Sequence, residues 1–200
     1  MPPPSRSERT SRARAWACLL LAVMLGGMVR ADALKAGTFD PPREAPDFTV
    51  LGSDGAPLTL SRYRGKVVVL SFGYTSCLSV CPATLTMLAL AHRKLGPQGA
   101  KVQVLYLTVD PQRDTADKMH RFLASFDATF IGGTGTEAQM AAVRRSYGVT
   151  AEKHGGGSDY AVAHSSFIYL ITPDGKLRAL MPFGHPPDDF VHDIKAMLSQ

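Results

Sequence analysis

Cys77 and Cys81 stand four positions apart in the stretch Phe72-Gly-Tyr-Thr-Ser-Cys-Leu-Ser-Val-Cys-Pro82. An apolar run precedes them and a helical pattern follows, which places them at a strand-to-helix turn. Gly73 marks the way out of the apolar run, and Pro82 suits the first turn of a helix, where its missing N–H is no loss. If the segment coils, residues i and i+4 share a face and the two sulfurs can converge on one atom. Three chemistries use such a pair: a structural disulfide, dithiol–disulfide exchange, and capture of a thiophilic metal. A disulfide here would close a very short loop and constrain the unfolded chain little. A helix N-terminus lowers a thiol pKa and favours exchange, but the usual oxidoreductase spacing has two intervening residues rather than three. The extra residue tilts the pair toward a metal and leaves exchange open.

Residues 1–33 read as an export signal or a membrane anchor. Arg6, Arg9, Arg12 and Arg14 are followed by an apolar stretch from Ala15 to Val29 and by the small residues Ala31 and Ala33. That order suits cleavage after Ala31 or Ala33. The stretch is shorter than the roughly 20 residues of a spanning helix, so retention as an anchor is the second reading. Either way the basic start stays inside and the body reaches an oxidising compartment, in a bacterium the periplasm. Cys18 opens the apolar stretch instead of following it, which argues against lipid attachment, and the body keeps only Cys77 and Cys81. Residues 1–31 hold five of the 22 basic residues and one of the 17 acidic ones, so most of the +5 charge belongs to the leader. A nearly neutral body argues against nucleic-acid binding.

The elements that must position the cysteines follow from pattern. Residues 34–45, rich in Gly, Pro and charge, read as a linker, and 46–200 as one domain. Asp47–Leu51 and Pro57–Leu60 form an N-terminal hairpin around Gly52–Gly55. Val67–Phe72 is continuously apolar, as a central strand covered on both faces should be. Leu85, Leu88, Ala89 and Leu95 recur at helical spacing up to Gly96. Val102–Val109 predicts a second strand, followed by Asp110, Arg113 and Asp114. Helix capping and a local ion pair account for these charges, with a docking surface as the alternative. Asp114 or Thr115 caps a helix facing inward through Met119, Phe122, Leu123 and Phe126, and Thr129–Ile131 is a brief strand. Thr136 caps the next helix. Gly148–Asp159, with three consecutive glycines, predicts a mobile loop, and Tyr160–Ile171 one long strand carrying His164. Lys176–Met181 returns as a hairpin, and Asp188 or Asp189 caps a last helix. The whole predicts an α/β domain with a mixed central sheet flanked by helices.

Several ordered motifs together resemble the Sco/SenC family. They are Ala45-Pro-Asp-Phe-Thr49, Arg64-Gly-Lys-Val-Val68, Phe72-Gly-Tyr-Thr75, Cys77 with Cys81-Pro82, Val109-Asp-Pro111, Arg113-Asp-Thr115 and His164-Ser-Ser166. The resemblance runs from about Ala45 to the C-terminus. It implies a thioredoxin-like fold, membrane attachment facing an exported or intermembrane compartment, and copper binding. It also implies a role in assembling the dinuclear copper centre of cytochrome c oxidase, by delivering copper or by reducing the receiving cysteines. Implied partners are the copper-receiving subunit of a respiratory oxidase and a further copper carrier or thiol-disulfide reductase. By matching position, Cys77, Cys81 and His164 are the implied metal ligands. If the role is redox, Cys77 and Cys81 are the catalytic pair; a copper or redox sensor is a third reading.

Two thiolates and one imidazole form a soft set that suits Cu(I), or Cu(II) with a water or further ligand. Zinc would generally take a fourth ligand. His164 lies 83 positions beyond Cys81, so only a folded sheet can unite them. By spacing alone His164 reads as a core histidine with one hydrogen bond. The chain departs from the family pattern inside the key loop. Ser76 stands where a histidine is usual and Leu78-Ser79 where Pro-Asp is usual, which removes a negative charge beside the cysteines.

Overall fold

The computed structural model describes residues 33–157 and 159–199. All but the last residue of the expected leader, 1–33, therefore lies outside the described residues. The strands in chain order are β1 (Gly37–Glu44), β2 (Thr49–Gly52), β3 (Pro57–Thr59), β4 (Val67–Gly73), β5 (Val102–Thr108), β6 (Ile131–Thr134), β7 (Ala151–His154), β8 (Ala161–His164), β9 (Ile168–Ile171) and β10 (Lys176–Met181). The helices are α1 (Val80–Lys94), α2 (Ala116–Ala124), α3 (Glu137–Ser146) and α4 (Pro187–Leu198).

Eight strands make one mixed sheet in the order β1-β10-β9-β4-β5-β6-β2-β3, while β7 and β8 pair separately. Every residue of β4 and β5 is buried, which their run of β-branched and apolar side chains permits. They pair in parallel from Val67↔Val102 to Gly73↔Thr108, so both strands end at the same edge of the sheet. β9 lies antiparallel on the other side of β4, with Val69 opposite Leu170. The N-terminal hairpin is present as β2 and β3, and it joins the sheet through β6. α1 buries Leu85, Leu88 and Ala89 and packs against α4.

Four expectations need correction. The segment 34–45 is no linker: β1 adds an outer strand to β10, pairing Gly37 with Leu180 and Glu44 with Lys176. Its prolines fall where the register shifts, on a sheet edge that tolerates a missing N–H. Asp193, fully buried on α4, pins the approach to β1 by accepting the N–H groups of Lys35 at 2.8 Å and Ala36 at 2.9 Å. The expected glycine loop begins as a strand, because β7 pairs with β8 from Ala151↔His164 to His154↔Ala161. The expected long strand through Ile171 divides into β8 and β9, which belong to different sheets.

The last correction concerns the caps. Neither Asp188 nor Asp189 caps α4; Pro186 holds that position, while Asp188 meets Lys94 and Asp189 meets His185. Thr115 and Thr136 do cap their helices, Thr136 in a reciprocal pair with Gln139. In β6, Gly132 and Gly133 are strand residues. A Cβ on Gly132 would meet Met119 Cε at 2.9 Å, so the missing side chain lets α2 lie close.

Candidate metal centre

The cysteines sit where β4 gives way to α1. Cys81 is in the first turn of α1 and buried, whereas Cys77 lies on the preceding loop, partly exposed. Both are free thiols. Ser79, at the N-cap position, makes no side-chain cap bond. The Cys77 sulfur takes that part, accepting the Cys81 N–H at 3.5 Å. Burial pushes the Cys77 thiol pKa up, but N–H groups of Cys81, Ser79 and Val80 outweigh it and leave a net lowering. Cys81 goes the opposite way: burial pushes it up to about 12, against a smaller opposing effect of the Tyr106 hydroxyl. Burial likewise holds the Tyr106 phenol well above its ordinary value. Cys77 therefore gives up its proton more readily than Cys81 does.

His164 ends β8, and its Nε2 lies 3.7 Å from Cys81 Sγ. Its Nδ1 lies 2.8 Å from the Ser165 carbonyl. A carbonyl only accepts, so Nδ1 carries the proton and a neutral ring presents the Nε2 lone pair toward the sulfur. Burial lowers the His164 pKa and so favours that neutral form.

The turn between β5 and α2 holds both arms. Asp114, fully buried, accepts the Thr75 N–H at 3.0 Å, the Thr75 hydroxyl at 2.5 Å and the Thr108 hydroxyl at 2.7 Å. That fixes the loop leading to Cys77. Asp110, also fully buried, accepts the Tyr160 hydroxyl at 2.6 Å and pairs with Arg113, whose guanidinium lies 3.7 Å over the Tyr160 ring. Tyr160 immediately precedes β8. The Val162 N–H donates to Tyr74 Oη at 3.3 Å, tying the hairpin directly to the Cys loop. Burial of both carboxylates removes them from any docking surface; the ion pair is present, and the cap is Thr115.

Cys81 and His164 are thus brought together across 83 positions. Cys77 is joined to Cys81 through the backbone amide. Among the described residues, no three His, Cys, Asp or Glu side chains are already gathered in metal-ligand geometry. His154 is exposed on β7, and His185 is engaged by Asp189. Sequence reasoning missed Tyr74, Thr75, Thr108, Tyr106 and Tyr160. Tyr74 and Thr75 stand inside one of the motifs that carry the family resemblance, whereas Tyr160 meets an aspartate 50 positions away and offers no local signal.

Fold and site together define a class: a thioredoxin-like domain with paired cysteines at a strand-to-helix turn and a histidine presented by a late hairpin. The SCO1/SenC family model matches residues 37–199, and the chain belongs to that family. It is 41% identical over 133 residues to the mitochondrial protein SCO2 homolog of Bos taurus, covering 64% of this chain and 50% of that protein. The chain spans about half the length of the curated relatives it matches first. Among solved structures it resembles Bradyrhizobium japonicum ScoI with copper bound, at 33% identity and TM-score 0.72, covering 78% of this chain and 99% of that one. It also resembles BsSco, described as a Sco-family cytochrome c oxidase assembly protein with a disulfide switch, at 26% identity and TM-score 0.64. That match covers 79% of this chain and 95% of the other. The thioredoxin-like architecture implied by the motifs is the one found.

Proposed function

We propose that the protein binds copper through Cys77, Cys81 and His164 and hands it to the copper-receiving subunit of a respiratory cytochrome c oxidase. The observation that carries this reading is the 3.7 Å approach of a neutral, oriented His164 Nε2 to Cys81 Sγ. Copper is cargo here. Cys77, favoured as a thiolate, meets the metal first; Cys81 releases its proton to solvent on binding; His164 completes a soft set of low coordination. To join them the Cys77 sulfur turns away from the Cys81 amide. An open coordination position lets an incoming thiolate attack before a bound one leaves, so transfer proceeds by ligand exchange. The exposed loop between the cysteines supports access, with Leu78 97% exposed at its tip. Export to the periplasm, with the leader cleaved or kept as an inner-membrane anchor, belongs to the same reading. Among the described residues no helix is long and apolar enough to cross a membrane.

Anaerobic Cu(I) titration of the protein against a competing chelator tests the ligand set. Replacing His164 by Ala is expected to weaken binding at least roughly 100-fold, beyond what loss of a ligand's outer hydrogen bond costs. Equal affinity would remove His164 from the set.

The second reading is dithiol–disulfide exchange that keeps target cysteines reduced. The lowered Cys77 pKa favours it, and the disulfide switch described for BsSco supports it. The readings separate in cells: His164→Ala should abolish oxidase assembly if copper is delivered. Assembly that survives His164→Ala but not Cys77→Ala assigns the redox role. Normal assembly in a strain lacking the protein would favour a sensor.

A further inference from the structure

Two hydroxyls beside Cys81, Ser71 Oγ on β4 and Tyr106 Oη on β5, are buried without a well-formed hydrogen bond among the described residues, Tyr106 having only the Cys81 sulfur to turn to. Ser71 is 2% and Tyr106 1% exposed, and both line the small pocket that Cys81 and His164 also border. An unpaired buried hydroxyl opposes folding, because its lost hydration is not replaced. The place of Tyr106 is set by Gly73. A Cβ at position 73 would lie 2.1 Å from Tyr106 Oη and 2.9 Å from Cys81 Sγ. The absent side chain lets phenol and sulfur approach the same point. While Cys81 is a thiol its sulfur is a weak acceptor, and the phenol gains little from it. A thiolate there is a charged acceptor, and bonds to charged acceptors are roughly twice as strong as neutral ones.

We infer that Tyr106 is a positioning residue for the loaded state, donating its O–H to the Cys81 sulfur once that sulfur is a copper-bound thiolate. The inference rests on the copper-binding reading above. On loading, the Cys81 S–H bond breaks, its proton leaves to solvent, and a sulfur–copper bond forms. Tyr106 keeps its proton throughout and turns it to the sulfur, with no change of oxidation state. The donated hydrogen bond draws charge from the sulfur, so moving an electron from it to Cu(II) takes more energy. Tyr106 thus opposes folding slightly in the metal-free protein and favours the metal in the loaded one.

Those opposite signs make the test. Tyr106→Phe should leave the metal-free melting temperature equal or raised, because it deletes only an unpaired hydroxyl. It should also weaken Cu(I) affinity by about tenfold, the low end of a charged hydrogen bond. In the Cu(II) form its sulfur-to-copper charge-transfer band should move to longer wavelength. Ser71→Ala deletes the other unpaired hydroxyl, and its band should stay in place. Unchanged band and affinity in Tyr106→Phe would overturn the inference, as would a fall in metal-free stability matching the loss of affinity. A wild-type protein with no sulfur-to-copper band would sink the copper reading and this inference with it. A wild-type band that Tyr106→Phe leaves unmoved would sink the tyrosine inference alone.

Discussion

The two arms of the site are built to different standards. The cysteine arm grows from β4, a strand buried along its whole length between β5 and β9, and continues into the 15-residue helix α1. The histidine arm is a two-stranded sheet outside the main one, and of the four residues of β8 only Val162 is buried. An isolated hairpin is marginally stable in water, so this one depends on its tethers to Asp110 and Tyr74. Cys81 is therefore held at the stability of the core and Cys77 by a loop anchored on Asp114, whereas His164 is presented by a segment that can open locally. A copper site of the kind proposed would then have its detachable ligand on the less stable arm.

The largest effect expected comes from breaking the tether of the cysteine arm. Asp114→Ala strands the Thr75 N–H and the Thr108 hydroxyl in a buried place and removes a partner of Lys118. A loss of about 3 kcal/mol in unfolding free energy is expected. Urea unfolding of the metal-free protein measures it, and copper affinity should fall with it because the Cys77 loop loses its anchor. Stability within 0.5 kcal/mol of wild type, a generous limit for a neutral substitution, would mean that the cysteine arm is no firmer than the hairpin.

The same contrast explains how much of the molecule was legible in the residues alone. β4 and β5 could be read because a strand covered on both faces must be apolar throughout, a constraint that every one of their residues records. β1 could not, since an edge strand on β10 is stabilised by backbone pairing and by Asp193, 157 positions from Ala36. β7 and β8 carry little burial and three neighbouring glycines, and so show no hydrophobic period. Of the site, the cysteine spacing was visible directly, and His164 only through family resemblance. Asp110 and Asp114 read as a capping and ion-pair turn because local sequence does not record that Tyr160 and Thr75 will donate to them.

The arms should also fail at opposite ends of the pH scale, with smaller effects. Cys81 keeps its proton up to about 12 in the folded chain, against an ordinary value of 9.0. Between those values the unfolded chain releases a proton that the folded chain retains. Metal-free stability is therefore intact below 9.0 and falls as pH rises toward 12, by about 1.4 kcal/mol per unit. His164 has the reverse sense. Its folded pKa lies below 6.5, so the unfolded chain binds a proton first, and stability is intact above 6.5 and falls as pH drops. Unfolding titrations of wild type against Cys81→Ala should converge above pH 9. Amide exchange should show the β7–β8 hairpin losing protection below pH 6.5 before α1 does. Simultaneous loss in both elements would erase the distinction.

The smallest effect sharpens the comparison most, because it touches only the hairpin. Tyr160→Phe keeps the ring under Arg113 and removes the single hydroxyl bond to Asp110. That bond contributes about 1 kcal/mol, and Tyr160 is only partly buried, so the global melting transition should hardly move. Hairpin opening, however, is a local equilibrium with few other supports. Its exchange rates should rise about fivefold, with copper affinity falling by a similar factor if His164 binds only in the closed arm. Reduced hairpin protection with copper affinity unchanged would separate the arm's order from metal binding and leave the cysteines to hold the metal without it.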